Sequence, residues 1–152
     1  MTKDTEKIVK KTTEELLEKL QIVAPVTVRE DSENTYRIDI QTEETGLLIG
    51  FHGETLNSLQ LLLGVLVYKQ IGEWVRLVVN VGDYRQKREE TVKQMVKSAK
   101  AEVLSTRESI VLPYLTPLER RIVHMVLTDD PDVSSESEGE GEERRVVIKP
   151  KV

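Results

Sequence analysis

Apolar positions along the first half of the chain change from a helical to an alternating spacing. The first stripe, at helical spacing, contains Ile8, Val9, Thr12, Leu16, Leu17 and Leu20. This spacing predicts an amphipathic helix that ends before Pro25. The next apolar residues alternate with polar ones, at Val26 and Val28 and then at Tyr36, Ile38 and Ile40. The alternation predicts two strands joined by a hairpin turn over residues 30–34.

A glycine loop separates two further apolar segments. Residues 46–49 form a short apolar turn, and a long apolar stretch at helical spacing follows the loop until Gly72. We predict a long, mostly buried helix there, and alternation at Val75, Leu77, Val79 and Val81 predicts another strand. The first half therefore has the order helix, strand, strand, short helix, long helix, strand. This order predicts one compact α+β unit.

The second half begins with a long helix, predicted over about residues 84–104. Ile110 and Leu112 predict a short strand, and Thr116-Pro117-Leu118-Glu119 combines a capping threonine, a proline at the first helical position and a glutamate three residues on. A helix should therefore begin at Thr116 and run to about Thr128. Residues 133–137 and 144–148 predict two strands joined by a turn at 139–143.

Composition restricts the class of protein more than it identifies one. The 152 residues include no cysteine and carry a net charge of −5. No disulfide, thiolate nucleophile or cysteine-based zinc site is therefore expected, and the polar N-terminus lacks the apolar run of a signal peptide. We expect a cytoplasmic protein. The negative total argues against a nucleic-acid partner unless positive charge is locally concentrated.

The loop Gly50-Phe51-His52-Gly53 is the first candidate for chemistry. Glycines let a backbone approach a sugar-phosphate chain, and the N-terminus of the following helix offers free N–H groups to an anion. By itself, G-x-x-G is more often a tight turn between helices. Here it follows a predicted hairpin, joins two helices and precedes a third strand. In this context, residues 3–82 resemble a KH domain of the bacterial type, called type II.

A second motif, Arg120-x-x-x-His124, lies on the predicted helix of the second half. The surrounding sequence Leu115–His124, together with Glu142–Ile148, resembles the Jag family, also called the KhpB or SpoIIIJ-associated family. That family has a KH domain followed by an R-x-x-x-H domain. The resemblance implies an α+β protein with two small domains: KH, residues 1–82, and R-x-x-x-H, residues 83–152. It implies a three-stranded mixed sheet with helices on one face, then a three-stranded sheet packed on two helices.

The resemblance also implies a function and partners. It implies a non-catalytic, single-stranded RNA-binding protein that acts as a post-transcriptional regulator, with single-stranded DNA as a second ligand to consider. It further implies a small KH-only partner and a link to a YidC-type membrane insertase, and a homodimer is another candidate assembly. Many relatives carry an additional N-terminal domain, whereas this sequence starts at the KH part. We expect no cofactor, no metal and no catalytic residue.

The expected RNA contacts are the loop residues 50–53 and a group of basic side chains. Arg120 and His124 share one helix face, with Arg121 beside them, so they can converge on a phosphate. Alternation on the last strand sends Arg144 and Arg145 to opposite faces, so one of the two is expected at the RNA. On the long helix, one stripe contains Lys93, Lys97, Lys100 and, if the helix continues, Arg107. We interpret this lysine stripe as an ordinary solvated face in preference to a basic track between the domains.

Two readings compete with RNA binding through both domains. An enzyme is disfavoured because His52 and His124, the only histidines, lie in different predicted domains, and no phosphate-binding or nucleophile motif occurs. A protein-protein adaptor that binds little RNA is the stronger alternative. It is favoured by the acidic total and by a loop that contains Phe51 and His52 but no lysine or arginine. Phe51 could stack on a base or contact a protein.

Overall fold

The first part of the fold is a sheet covered by helices on one side. The structure is a computed structural model that describes residues 2–152, in two units, Met1–Arg85 and Gln86–Val152. The elements of the first unit are α1 (Thr2–Lys19), β1 (Val26–Ser32), β2 (Thr35–Ile40), α2 (Thr45–Ile49), α3 (Glu54–Ile71) and β3 (Arg76–Val81). The predicted order of elements is confirmed.

The three strands pair in the order β1-β2-β3. β1 is antiparallel to β2, with Val26 opposite Ile40, whereas β2 is parallel to β3, with Tyr36 opposite Leu77. Alternation gives each strand one apolar face, because successive side chains of a strand point to opposite sides. The buried residues of these faces pack with those of α1 and α3 into one core. The predicted mixed sheet with helices on one face is confirmed.

Two predictions for this unit were wrong in detail. The hairpin turn is shorter than expected, because β1 continues to Ser32 through a register shift and leaves only Glu33 and Asn34 as the turn. The long helix α3 is not mostly buried. Its core face consists of Leu56, Leu59, Leu63 and Val67, whereas Leu61 and Leu62 are exposed by 71% and 46%. Apolar residues lie all around α3, and their spacing alone does not tell which of them are buried and which are exposed.

The second unit is a sheet packed on two helices. Its elements are α4 (Tyr84–Thr106), β4 (Ile110–Val111), α5 (Pro117–Leu127), β5 (Val133–Glu138) and β6 (Arg145–Pro150). The strands are antiparallel in the order β4-β6-β5. Its core includes Val92 and Val103 of α4, Val123 of α5 and Ile148 of β6. The predicted architecture of this unit is confirmed.

Helix α4 starts inside the first unit and continues into the second, since the division between the units falls after Arg85. The helix ends at Thr106, and Arg107 adopts a left-handed conformation with φ of 62°. Arg107 therefore leaves the helix and does not extend the lysine stripe. Lys93 pairs with Glu89 at 2.9 Å, as on a solvated face. The side chains of Lys100 and Asp130 are only 30% and 12% exposed and pair at 2.6 Å.

Candidate nucleic-acid interface

The loop between α2 and α3 is a short 3-10 turn, Phe51–Gly53, with an unusual backbone. Gly50, His52 and Gly53 all have positive φ, of 69°, 51° and 81°. Glycine adopts this region without penalty, whereas a residue with a side chain such as His52 is strained there. Surrounding contacts must therefore hold the loop in this shape.

The surroundings of the two glycines differ. A Cβ at Gly50 would overlap the hydroxyl of Thr55 in the first turn of α3, and a Cβ at Gly53 would lie 3.4 Å from Cε1 of Tyr84. At both glycines, a Cβ would therefore point toward the protein. Space excludes a side chain at Gly50, whereas at Gly53 a Cβ would be at ordinary contact distance and the positive φ is what favours glycine. The approach of a sugar-phosphate chain to these glycines stays a prediction.

The exposed side of the loop is apolar and aromatic. Phe51 is 66% exposed, and its ring meets that of His52 edge to face, with centroids 4.0 Å apart. Leu47 on α2 is 64% exposed. Neither Phe51 nor His52 carries a permanent positive charge. The loop therefore offers a ring for stacking and backbone N–H groups, with little electrostatic attraction for phosphate.

In the second unit, the start of α5 is fixed by hydrogen bonds predicted from the sequence. The hydroxyl of Thr116 accepts from the N–H of Glu119 at 3.3 Å, and the carboxylate of Glu119 accepts from the N–H of Thr116 at 3.0 Å. The same carboxylate, which is buried, also accepts from Nε of Arg88 on α4 at 2.6 Å. The capping box thus fixes the first turn of α5 to α4, and with it the helix face that carries Arg120 and His124.

A cleft of about 400 Å³ lies beside that face. Its lining residues are Pro117, Arg120, Arg121, His124, Met125, Thr128, Ser137 and Arg144. The structure thus brings together four of the five basic residues predicted for this site. Arg120 is anchored, because its Nη1 donates to the carbonyl of Leu115 at 2.7 Å, while Arg121 and Arg144 are exposed.

Arg145, the fifth predicted residue, lies outside the cleft lining. Its Nη1 donates to the carbonyl oxygens of Glu142 and Arg144, at 2.7 and 3.1 Å. Its guanidinium carbon lies 5.4 Å from the centre of the Tyr114 ring, a cation–π distance. Arg144 itself precedes β6 rather than lying on it. The structure therefore separates the two neighbouring arginines, with Arg144 at the cleft and Arg145 bonded to backbone.

His124 is tied to β5 through both ring nitrogens. Nδ1 lies 2.7 Å from Oγ of Ser135, and Nε2 lies 2.8 Å from Oγ of Ser137. Burial, followed by the charges of Arg144 and Arg120, lowers the pKa of His124 below its ordinary value. The neutral imidazole is therefore favoured, and a serine hydroxyl can serve either ring nitrogen, since a hydroxyl both donates and accepts. We had expected His124 to offer a ring nitrogen directly to phosphate, but both are occupied here.

The sequence analysis missed Ser135 and Ser137. Both lie on the predicted strand and have the same parity, so alternation places them on one face. Their registry with His124 depends on how β5 packs on α5, which a single sequence does not show. Among residues 2–152, no group of three or more His, Asp or Glu side chains is placed to hold a metal ion. Within the same range, no helix is long and apolar enough to cross a membrane.

Comparison with protein families assigns both units. Residues 6–79 match the KH domain of KhpA and KhpB, and residues 90–150 match the family model of the R-x-x-x-H domain. The chain has the architecture of the KhpB, or Jag, family. The resemblance seen in the sequence is therefore confirmed, and so is the order of a KH domain followed by an R-x-x-x-H domain.

Three KhpB relatives, each named RNA-binding protein KhpB, show the extent of the similarity. The protein of Bacillus subtilis is 38% identical over 125 residues, covering 81% of this chain and 60% of the relative. The protein of Clostridium symbiosum is 31% identical over 136 residues, covering 89% of this chain and 61% of the relative. The protein of Lactiplantibacillus plantarum is 34% identical over 134 residues, covering 88% of this chain and 41% of the relative. The chain thus spans less than two thirds of these KhpB proteins.

Proposed function

We propose that the chain is a non-catalytic, single-stranded RNA-binding protein and a post-transcriptional regulator of the KhpB type, acting in the cytoplasm. The observation that carries this proposal is the grouping of Arg120, Arg121 and Arg144 around one cleft of an otherwise acidic protein. Three permanent positive charges close together repel one another unless an anion joins them. The relatives, each named RNA-binding protein KhpB, support RNA as that anion.

The cleft is suited to a phosphate of the RNA backbone. Guanidinium groups bind phosphate oxygens with two parallel hydrogen bonds, and their charge does not depend on pH in the physiological range. Arg121 and Arg144 are exposed and free to move onto a ligand, while Arg120 is held by the carbonyl of Leu115. In this arrangement, Arg120 supplies a fixed charge and the other two supply contacts.

The KH loop makes a different contribution. Phe51 is exposed, and stacking of a base on an aromatic ring contributes about 1–3 kcal/mol in single-strand binders. The first turn of α3 directly follows the loop and offers N–H groups to a phosphate. We therefore assign base stacking and backbone contacts to residues 50–53, and most of the phosphate attraction to the cleft of the second unit.

Salt dependence tests the proposal with a matched control. The affinity of the full chain for a labelled single-stranded RNA is measured by fluorescence anisotropy over a series of salt concentrations. Three arginine charges that neutralise phosphates predict a slope of log affinity against log salt of about −2, since each neutralised phosphate in single strands contributes about 0.7. Arg144→Ala should reduce the slope by about 0.7. Arg145→Ala removes the same charge one residue away, outside the cleft, and should leave the slope nearly unchanged.

Two results would overturn the proposal. If the wild-type chain binds no RNA at low salt, the adaptor reading replaces it. If Arg144→Ala and Arg145→Ala change the slope equally, the cleft has no special role. The same titration with single-stranded DNA of equal sequence tests the second nucleic-acid ligand. Replacing Phe51 and His52 by aspartate, with the melting temperature as control, tests the loop separately.

The absence of catalysis is part of the proposal. The two histidines lie in different units, and both ring nitrogens of His124 are bonded to serine hydroxyls. A general base needs a free nitrogen within reach of a substrate proton. RNA cleavage by the purified chain that disappears in His124→Ala would contradict this part of the proposal.

A specific surface favours the adaptor as the second candidate. The outer face of α3 and the following loop expose apolar side chains, which we call the α3 apolar surface: Leu61, Leu62, Val65, Tyr68 and Trp74. The Tyr68 and Trp74 rings stack, with centroids 4.4 Å apart. Contiguous apolar surface of this kind commonly binds another protein. We propose a small KH-only protein as its partner, because the family resemblance implies one.

Val65→Asp tests the α3 apolar surface. In this proposal, the variant loses binding to the KH-only protein in size-exclusion chromatography and keeps the RNA affinity of the wild type. A wild-type chain that elutes as a dimer by itself, and as a monomer after the substitution, identifies a second copy as the partner. Binding to a YidC-type insertase that survives Val65→Asp would place the insertase contact elsewhere.

A further inference from the structure

Tyr84, the first residue of α4, lies against the KH loop. Gly53 is buried, and a Cβ there would lie within 4 Å of three side-chain atoms of Tyr84, with Cε1 at 3.4 Å and the hydroxyl oxygen at 3.6 Å. Tyr84 is half-buried and packs against the core of the first unit. The ring of Tyr84 therefore lies beside Gly53, the second glycine of the loop.

Hydrogen bonds of the neighbouring Arg85 fix the position of Tyr84. Its Nε donates to the carbonyl of Val79 on β3 at 2.9 Å, and its Nη2 donates to Oε1 of Gln60 on α3 at 3.2 Å. The same oxygen of Gln60 accepts from the N–H of Val79 at 3.0 Å. These bonds join the start of α4 to both the last strand and the long helix, so the position of Tyr84 is set by the KH unit itself.

The loop needs external support of this kind. His52 and Gly53 are both left-handed, and this conformation is unfavourable for His52. At the other end of the loop, Thr55 fills the space beside Gly50. Without the ring of Tyr84, the Gly53 end loses this neighbour, and the two residues gain freedom to leave the conformation that turns Phe51 outward. The RNA-binding shape then has to be restored when RNA binds.

We propose that Tyr84 is a positioning residue for RNA binding, which holds the Gly50–Gly53 loop in its binding conformation from outside the matched KH segment. The inference rests on the proposed function, namely that this loop contacts RNA. It extends the functional KH domain beyond residue 79, where the family match ends, and beyond residue 82, the boundary expected from the sequence, into the first turn of α4.

The test compares Tyr84→Ala with Tyr84→Phe in the full chain, with two measurements. Hydrogen exchange of residues 52–54 should become faster in Tyr84→Ala, while exchange in β3 stays as in the wild type. RNA affinity at fixed salt should fall about tenfold, the factor expected if roughly one residue must be ordered again on binding. Tyr84→Phe keeps the ring against Gly53 and should retain both wild-type values.

The outcomes separate this inference from the proposed function. If the Phe51 and His52 double aspartate variant loses RNA affinity but Tyr84→Ala does not, Tyr84 is no positioning residue, whereas the loop keeps its role. If neither changes RNA affinity, the loop's role and this inference both fail. Unchanged exchange at residues 52–54 in Tyr84→Ala also overturns the inference. Should Tyr84→Ala unfold the unit, Tyr84→Leu, which keeps an apolar side chain without a flat ring, takes its place with the same expectations.

Discussion

Substituting Glu119 by alanine should destabilise the R-x-x-x-H unit far more than an average substitution. The carboxylate closes the capping box with Thr116 and pairs with Arg88 at 2.6 Å. The side chains of Glu119 and Arg88 are only 8% and 19% exposed. Removal of the carboxylate therefore leaves a nearly buried guanidinium without this partner and the first turn of α5 without its reciprocal cap.

The magnitude follows from these two losses. Loss of a capping interaction costs about 1 kcal/mol, and breaking one side of a buried ion pair costs about 3–5 kcal/mol. Because the pair is mostly shielded from water, solvent screening reduces this figure only slightly, and we expect a total of about 4 kcal/mol. A small domain has a free energy of unfolding on the order of 5 kcal/mol. The variant should therefore lose most of the stability of its second unit.

Hydrogen exchange of the α5 amides measures this loss within the second unit, and urea unfolding followed by circular dichroism measures it for the chain. The matched control replaces both partners with apolar residues, Arg88→Met together with Glu119→Leu. It removes both charges of the pair together and should cost much less than Glu119→Ala, since neither charge is left without the other. A cost below about 1 kcal/mol for Glu119→Ala would refute the argument, because that is the range of exposed ion pairs.

Two further predictions concern His124 and Gly50. Because the folded-state pKa of His124 is lowered, the stability it contributes should be present above its ordinary pKa of about 6.5 and lost as the pH falls through the lower folded value. Urea midpoints of the wild type and His124→Asn between about pH 7.5 and 5 should therefore converge on acidification, and a constant difference contradicts the assignment. Gly50→Ala should lower the melting temperature and speed hydrogen exchange of the loop amides, because the new Cβ would overlap Thr55 and the φ of this residue is positive. The control is Gly46→Ala, which should change neither quantity, since no atom lies within 4 Å of a Cβ there.

The sequence predicted those parts of the fold that depend on local signals. Thr116, Pro117 and Glu119 identified the start of α5, because a capping box is formed by residues within one helical turn. Alternation identified β2 and β3, since period two requires only one buried face. The G-x-x-G spacing identified the loop. In each case, the residues that determine the structure are neighbours in the chain.

Features that depend on distant packing were missed. The neighbours of Gly53 and His124 are Tyr84 and the serines of β5, which lie far away in the sequence. The exposure of Leu61 was also missed. The spacing of apolar residues along a helix is the same whether they pack in the core of the domain or bind another protein. The candidate site was therefore predicted as a set of basic residues, but not as a supported cleft.

Strand β5 explains how an acidic chain can present a cationic cleft. Glu136 and Glu138 alternate along this strand with Ser135 and Ser137. The serines point toward α5 and bond His124, whereas the two glutamates pair with Lys149 of β6, at 2.5 and 2.9 Å. A one-residue shift in the register of β5 would exchange the faces and place carboxylates beside Arg120. Strand register, rather than net charge, therefore keeps the cleft beside α5 positive.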